Sequence, residues 1–159
     1  MTIAEKNLSC TNLAGENLAG ENLAGAQMFG ANLAGANLAG ANLSSTHLTC
    51  TNMTGAYLAG ANLTGAYMFG ANLTGADLSR ANLTGADLSR VNLTGACLAG
   101  ANLTGADLTR ADLFGANLEG TNLAGANLEG ADLAYTNRIG TNLTGANLSR
   151  AYISSSRHD

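Results

Sequence analysis

Residues 61–110 read ANLTG AYMFG ANLTG ADLSR ANLTG ADLSR VNLTG ACLAG ANLTG ADLTR. The stretch is one five-residue unit, small–polar–Leu–small–Gly, copied ten times without insertion or deletion. The rest of the chain carries the same unit outward in both directions. With Leu63 as the centre of its unit, centres recur every five residues from Ile3 to Ile153. Leu fills 25 of these 31 centres; Ile3, Met28, Met53, Met68 and Ile153 fill five more, and Arg138 is the single breach. Every Leu is a centre, and each of the 21 glycines lies two residues after one.

A period of five fits neither regular element. In an α-helix five residues advance roughly 500°, so the leucines would spiral around the cylinder and form no stripe. Each glycine would also cost about 1 kcal/mol in a helix interior. In a flat strand an odd period sends successive leucines to opposite faces. A chain that turns a corner at every unit keeps its leucines together. Glycine suits that corner, because the third residue of a type II turn needs positive φ. Type II turns are therefore expected wherever Gly follows Thr, Ala or Phe. A different turn is expected where Cys10, Ser45, Cys50, Arg80, Arg90, Arg110, Tyr135 or Arg150 takes the glycine place.

The units ANLTG, ADLSR, ANLAG and TNLAG resemble the pentapeptide-repeat family, whose pattern reads A(D/N)LXX, and the resemblance covers about residues 7–153. It implies an all-β fold, a right-handed quadrilateral β-helix with four pentapeptides per coil. Residue n would then stack on n + 20, and nearly eight coils at the usual strand spacing would give a rod roughly 37 Å long. Hexapeptide β-helices need a period of six, which is absent. In such a rod the centre and the residue two before it point inward. The latter is Ala almost throughout, with Thr46, Thr51, Thr121, Thr136, Thr141 and Val91 as variants, so large and small side chains alternate in a narrow core.

Composition bounds the rest. At 159 residues the chain is one domain: residues 1–6 are a frayed start, 7–153 the repeat and 154–159 a polar tail. There is no Pro, no Trp and no long apolar run, so no membrane span is expected. MTIAEKNLSC lacks the basic and apolar regions of a signal peptide, which makes the cytoplasm the expected compartment. Cys10 and Cys50 share a column two coils apart, about 9.6 Å, too far for a disulfide, and Cys97 lies on another side. Free thiols suit a reducing compartment. Net charge is −4 with only seven Lys and Arg, which argues against direct nucleic-acid binding.

The departures from the unit carry the remaining information. Lys6, Glu16 and Glu21 take inward small positions near the first coil, where the glutamates can escape to water and discourage docking of another strand. Arg138 replaces Leu in the last coil; either its head reaches solvent or the coil distorts and swings Ile139 inward. The column Asn22 to Asn142 is unbroken Asn, a ladder able to hydrogen-bond along the stack. Thr64, Thr84 and Thr104 form a Thr file beside it. Single files of this kind fall short of the paired ranks of ice-binding β-helices. Asp87 and Asp107 are expected to interleave with Arg90 and Arg110 as a solvated, self-neutralising face.

No aromatic residue sits at a core position. Phe29 and Phe69 share an outward column. Phe114, Tyr135 and Tyr152 gather on one side in the last coils beside Asp112 and Asp132. Exposed aromatics among acids have the composition of an interaction site, although bulky residues here can also merely cover neighbouring backbone. These seven residues are the candidate partner contacts.

No catalytic constellation is readable. His47 and Cys50 share a unit but lack a third group to orient the imidazole. The glycines are corners at a fixed period rather than a phosphate cradle, and a filled core leaves no substrate cavity. No enzyme activity, cofactor or metal is therefore expected. The expected role is a non-catalytic rod that presents faces to a protein partner, as a monomer or a weak end-to-end homo-oligomer. The resemblance supplies an alternative, because some members of the family mimic duplex DNA and bind DNA gyrase. This chain departs from that subgroup in its modest charge, its arginine-interrupted acidic side, and its lack of inserted loops and of a C-terminal helical segment.

Overall fold

A computed structural model describes residues 7–154. The expectations for residues 1–6 and for the tail from residue 155 onward lie outside these residues. Parallel bridges join residue n to n + 20, from Asn7↔Gln27 to Asp132↔Tyr152. Twenty residues, four units, therefore complete one coil, and the described residues make a little over seven coils. The pairing consists of isolated bridges only; no continuous strand forms among the described residues. A corner every fifth residue breaks each ladder after a single pair.

The unit 62–66 shows why the sequence adopts this form. The Leu63 and Gly65 N–H groups donate to Asn82 and Thr84 one coil on, at 2.7 and 3.0 Å. The Asn62 N–H donates back to Ala41 at 2.9 Å, and the Ala66 N–H closes the corner on the Leu63 carbonyl at 3.0 Å. One donor remains, the Thr64 N–H, and it finds the Asn62 Oδ1 at 3.2 Å. All five backbone donors are thus satisfied, the last by a side chain. Every described Asn or Asp before a centre plays this part, from Asn7 to Asn147. That local two-residue bond is characteristic of Asx turns and explains why the unit demands Asn or Asp there.

The Asn amides do a second job. Asn42 Nδ2 donates to Asn22 Oδ1 at 3.1 Å, and the same link recurs from Asn62 to Asn42, Asn122 to Asn102, and Asn142 to Asn122. The Asn ladder expected from the sequence therefore forms over part of the column; at Asn102 the amide donates to the Thr84 hydroxyl instead, at 3.0 Å. The Thr file is tied into it: Thr64, Thr84 and Thr104 hydroxyls donate to the Asn Oδ1 of their own unit, each at 2.6 Å.

The core is as narrow as the alternation implied. The Leu and Met centres from Leu23 to Leu133 and the inward alanines between them are buried, together with Val91. Thr46 and Thr121 are also buried, and their hydroxyls donate to the Leu23 and Leu98 carbonyls. Leu8, Leu13, Leu18, Leu143 and Leu148 are only partly covered, because coils near the ends have a neighbour on one side.

One expectation about the corners is overturned. Every third turn residue has positive φ, the eight non-glycines included, at 52–58°. Each corner from Leu8–Thr11 to Leu148–Ala151 also closes the same turn bond. Cys10, Ser45, Cys50, Arg80, Arg90, Arg110, Tyr135 and Arg150 therefore make the glycine-type turn rather than a different one. Inter-coil hydrogen bonds on both flanks leave the backbone no other path, so these residues accept a left-handed conformation that costs an L-residue about 1–2 kcal/mol. The side chains of Cys10, Ser45, Cys50, Arg80 and Arg110 run along the rod onto a bare glycine corner of the next coil. A Cβ built on Gly70 would stand 3.7 Å from Cys50 Sγ, and one on Gly130 would stand 3.5 Å from Arg110 Cγ.

Arg138 does not follow the alternative in which the coil distorts, and its side chain is half-buried. Ile139 stays outward at 71% exposure, so the coil does not turn it inward. The guanidinium nevertheless keeps Nη1 buried, without a hydrogen-bond partner among the described residues. Glu16 and Glu21 are exposed, as expected.

Four substitutions test these assignments. Leu83→Ala, in the fully buried mid-rod core, should lose ~2–5 kcal/mol, and Leu13→Ala clearly less. Asn62→Ala removes the acceptor for the half-buried Thr64 N–H and one ladder rung, at a cost of about 1 kcal/mol. Cys50→Gly relieves the left-handed strain and should gain ~0.5–1 kcal/mol. Urea unfolding of the five proteins, wild type included, checks the order; a loss on Cys50→Gly would contradict the strain assignment.

Candidate interaction faces

The fold turns sequence position into geometry, since residues twenty apart lie in one column. The first candidate patch assembles as the sequence suggested. Phe114 and Tyr135 pack with ring centroids 5.2 Å apart and planes tilted by 59°. Phe114 is 44% exposed, Tyr135 57% and Tyr152 62%. Asp112 and Asp132 bridge each other in the neighbouring column, and Tyr152 continues it. Each carboxylate is occupied locally: Asp112 Oδ1 accepts from the Phe114 N–H at 3.0 Å and Asp132 Oδ1 from the Ala134 N–H at 2.8 Å. The acids thus hold the loops that carry the aromatic rings. Ala134, directly above Phe114 in its column, is buried although its position is outward. Part of the aromatic cover is therefore structural.

The second group of candidates, Phe29 and Phe69, sits on another side, and the structure surrounds them with residues that were not among the candidate contacts. His47 and Tyr67 stack with centroids 4.7 Å apart and 20° between planes. Arg90 places its guanidinium 5.7 Å from the Phe69 ring centroid, within cation–π range. The seven candidates hence divide between two faces. The missed signal was readable in the unit itself: Gln27, His47 and Tyr67 are three consecutive members of one column in which the Asn or Asp of the Asx turn is missing. Tyr57 and Cys97 break the same rule on another side.

Asp87 and Asp107 make no direct ion pair with Arg90 or Arg110 among the described residues. Asp87 and Asp107 accept from the hydroxyls and N–H groups of Ser89 and Thr109 in their own units. Among the described residues the one ion pair joins Arg150 to Glu129 at 3.8 Å, with both side chains well exposed. A local Asx turn satisfies each carboxylate without drawing in a flexible arginine, whose ordering would cost more than an exposed pair returns.

Cys10, Cys50 and Cys97 are free thiols. No group of three or more His, Cys, Asp or Glu able to hold a metal ion exists among the described residues. No described helix is long and apolar enough to cross a membrane.

Comparison with known proteins agrees with the repeat. The chain is similar to HetL, a pentapeptide repeat protein involved in heterocyst differentiation regulation from the cyanobacterium Nostoc sp. strain PCC 7120. The identity is 40% over 89% of this chain and 69% of HetL, with a TM-score of 0.37. It is similar to Rfr23 from the cyanobacterium Cyanothece 51142, with 35% identity over 62% of this chain, 64% of Rfr23 and a TM-score of 0.41. Full-length QnrB1, a plasmid-mediated fluoroquinolone resistance protein, shares 16% identity over 98% of this chain and 89% of its own, with a TM-score of 0.43. The chain thus spans somewhat less than two thirds of Rfr23. No curated protein gave a significant match. The pentapeptide repeats match in eight copies over residues 7–44, 36–75, 71–110 and 111–150, and the chain belongs to the pentapeptide repeat family.

Proposed function

We propose that the chain is a non-catalytic binding rod, a right-handed coil whose Phe114–Tyr135 pair, with Tyr152, Asp112 and Asp132, contacts a protein partner. The observation that carries this reading is the exposure of the packed ring pair, 44% and 57%, beside the exposed Tyr152 on the same side. Rigid aromatics presented on a fixed backbone contribute large contact area at small entropy cost. The hand of the coil follows the general preference of parallel crossovers. A reducing cytoplasm suits the three free thiols, and the rod acts as a monomer or a weak end-to-end homo-oligomer.

The alternative reading as a DNA mimic that binds gyrase has less support. A duplex mimic needs a continuous acidic track, and here Arg90, Arg110 and Arg150 stand at the corner between the columns that hold Asp87, Asp107, Asp112 and Asp132. A supercoiling assay separates the readings: the binding-rod reading expects no inhibition of gyrase at micromolar protein.

The direct test is affinity capture from a lysate of the source organism with wild type and with Phe114→Ala/Tyr135→Ala. The rings are exposed, so the double variant should lose no more than about 1.5 kcal/mol of stability while it loses the captured partner. Capture of the same partners in the same amounts would remove the patch from the interface.

A further inference from the structure

On the side that carries Phe29 and Phe69, the rule that sets Asn or Asp before each centre fails three coils in succession. Gln27, His47 and Tyr67 take that place, and the Phe29, Thr49 and Phe69 N–H groups are left without an acceptor among the described residues. Each of these units gives up the side-chain bond that completes its neighbours. Departures from a locally optimal pattern that bring no evident structural return point to function.

What these units carry instead is an uncharged strip with exposed rings. Phe29, Tyr67 and Phe69 are 52%, 48% and 40% exposed. With His47 neutral, this side holds no charge from Asn7 to Phe69; its charges all follow, at Asp87, Arg90, Asp107, Arg110, Glu129 and Arg150. The outward column also has a notch. Phe29 and Phe69 stand two coils apart, about 9.6 Å, with the smaller Thr49 between them. Rings stack along this side at 4.7 Å, as His47 and Tyr67 do, so the space over Thr49 takes one ring between two. From the coil beyond, the Arg90 guanidinium stands 5.7 Å from the Phe69 centroid and backs that ring.

We propose that this side is a self-association surface, and that its occupant is the same side of a second copy running antiparallel. A two-fold axis across the rods, between the third and fourth coils, brings each Phe69 into the notch over Thr49 of the other copy. The contact is isologous and closes at two copies. Charge selects this arrangement. On a chain of net charge −4, antiparallel pairing lays Asp87, Arg90, Asp107 and Arg110 against the uncharged second and first coils of the other copy. Parallel pairing in register would set each charge against its like, which repels. The side from Asn22 to Asn142 is also uncharged outside its first unit, but no large apolar group is exposed there. The unpaired N–H groups gain acceptors: Thr49, Tyr67 and Asp87 of the second copy stand at the levels of Phe69, Thr49 and Phe29. One narrow side buries less than the roughly 1,200 Å² of stable complexes, so the pair is transient and the rod is monomeric when dilute. The contact is lateral and goes beyond the end-to-end association proposed above.

Two measurements on the full chain test the pairing. Sedimentation equilibrium from micromolar to millimolar protein should show monomer and dimer without higher species. Phe29→Ser/Phe69→Ser should weaken the dimer by about tenfold or more, with thermal melting to confirm that the variant is folded. Phe114→Ala/Tyr135→Ala should leave the dimer unchanged, which separates this surface from the patch proposed above. The second measurement uses the native thiols. Cys50 is exposed and lies one coil from its mate across the two-fold axis, whereas the two Cys10 residues are five coils apart, about 24 Å. A short bismaleimide should therefore join Cys50 to Cys50, and Cys50→Gly should abolish the product. Monomer alone at millimolar protein, an equally strong dimer in the serine variant, or Cys10–Cys10 or Cys97–Cys97 links in place of Cys50–Cys50 would each overturn the pairing. Assemblies longer than two copies would overturn it in favour of end-to-end association.

Discussion

A backbone cannot leave its donors unpaired inside a structure, and here that demand is met five residues at a time. Four of the five N–H groups of a unit find carbonyls on the adjoining coils or across the corner. The fifth is out of reach of any carbonyl and is satisfied by Asn or Asp Oδ1 from two residues before it. The leucine core, the Ala spacing and the Gly corner all presuppose this arrangement. Without the side-chain acceptor the corner would hold an unpaired donor in every unit. Without the corner, the leucines would not stay on one side of the chain. Hydrophobic burial supplies the driving force, but the hydrogen-bond geometry decides that the buried object is a rod one leucine wide per side.

Most of the fold was legible because the repeat is so strict. A period of five excludes helix and flat strand on geometry alone, and Leu, Ala and Gly each declare their place. The turn at non-glycine corners was not legible. Local propensity argues against Arg90 or Tyr135 at positive φ, and only the inter-coil bonds on both flanks, which are not local, override it. Arg138 was ambiguous for a similar reason: the sequence marks a breach, while the packing around one coil decides which atom of a long side chain ends up covered.

The faces were legible in part. Phe114 and Tyr135 could be paired from the column arithmetic alone, and they do pack. The His47–Tyr67 stack follows from the same arithmetic, one column from Phe29 and Phe69. The expected Asp–Arg interleaving failed on energetics. A carboxylate two residues from an unpaired N–H has a nearer and cheaper partner than an exposed guanidinium. Residue type thus gave the composition of each face correctly, whereas the side chains' own local bonds determined which charges remained available to a partner.

The corner also makes position in the chain an angular coordinate. Each unit advances the backbone by a quarter of a coil, so loss of one pentapeptide would turn every later face by a quarter relative to the earlier ones. The core would hardly register the change, since one unit's leucine replaces another's. Phe114 and Tyr135, however, would move to a different side from the one they share with Asn12 to Asn92. Loss of twenty residues would shorten the rod and leave every face in phase. Length can thus vary freely in whole coils, whereas the relative bearing of two surfaces is protected only by the count of units between them.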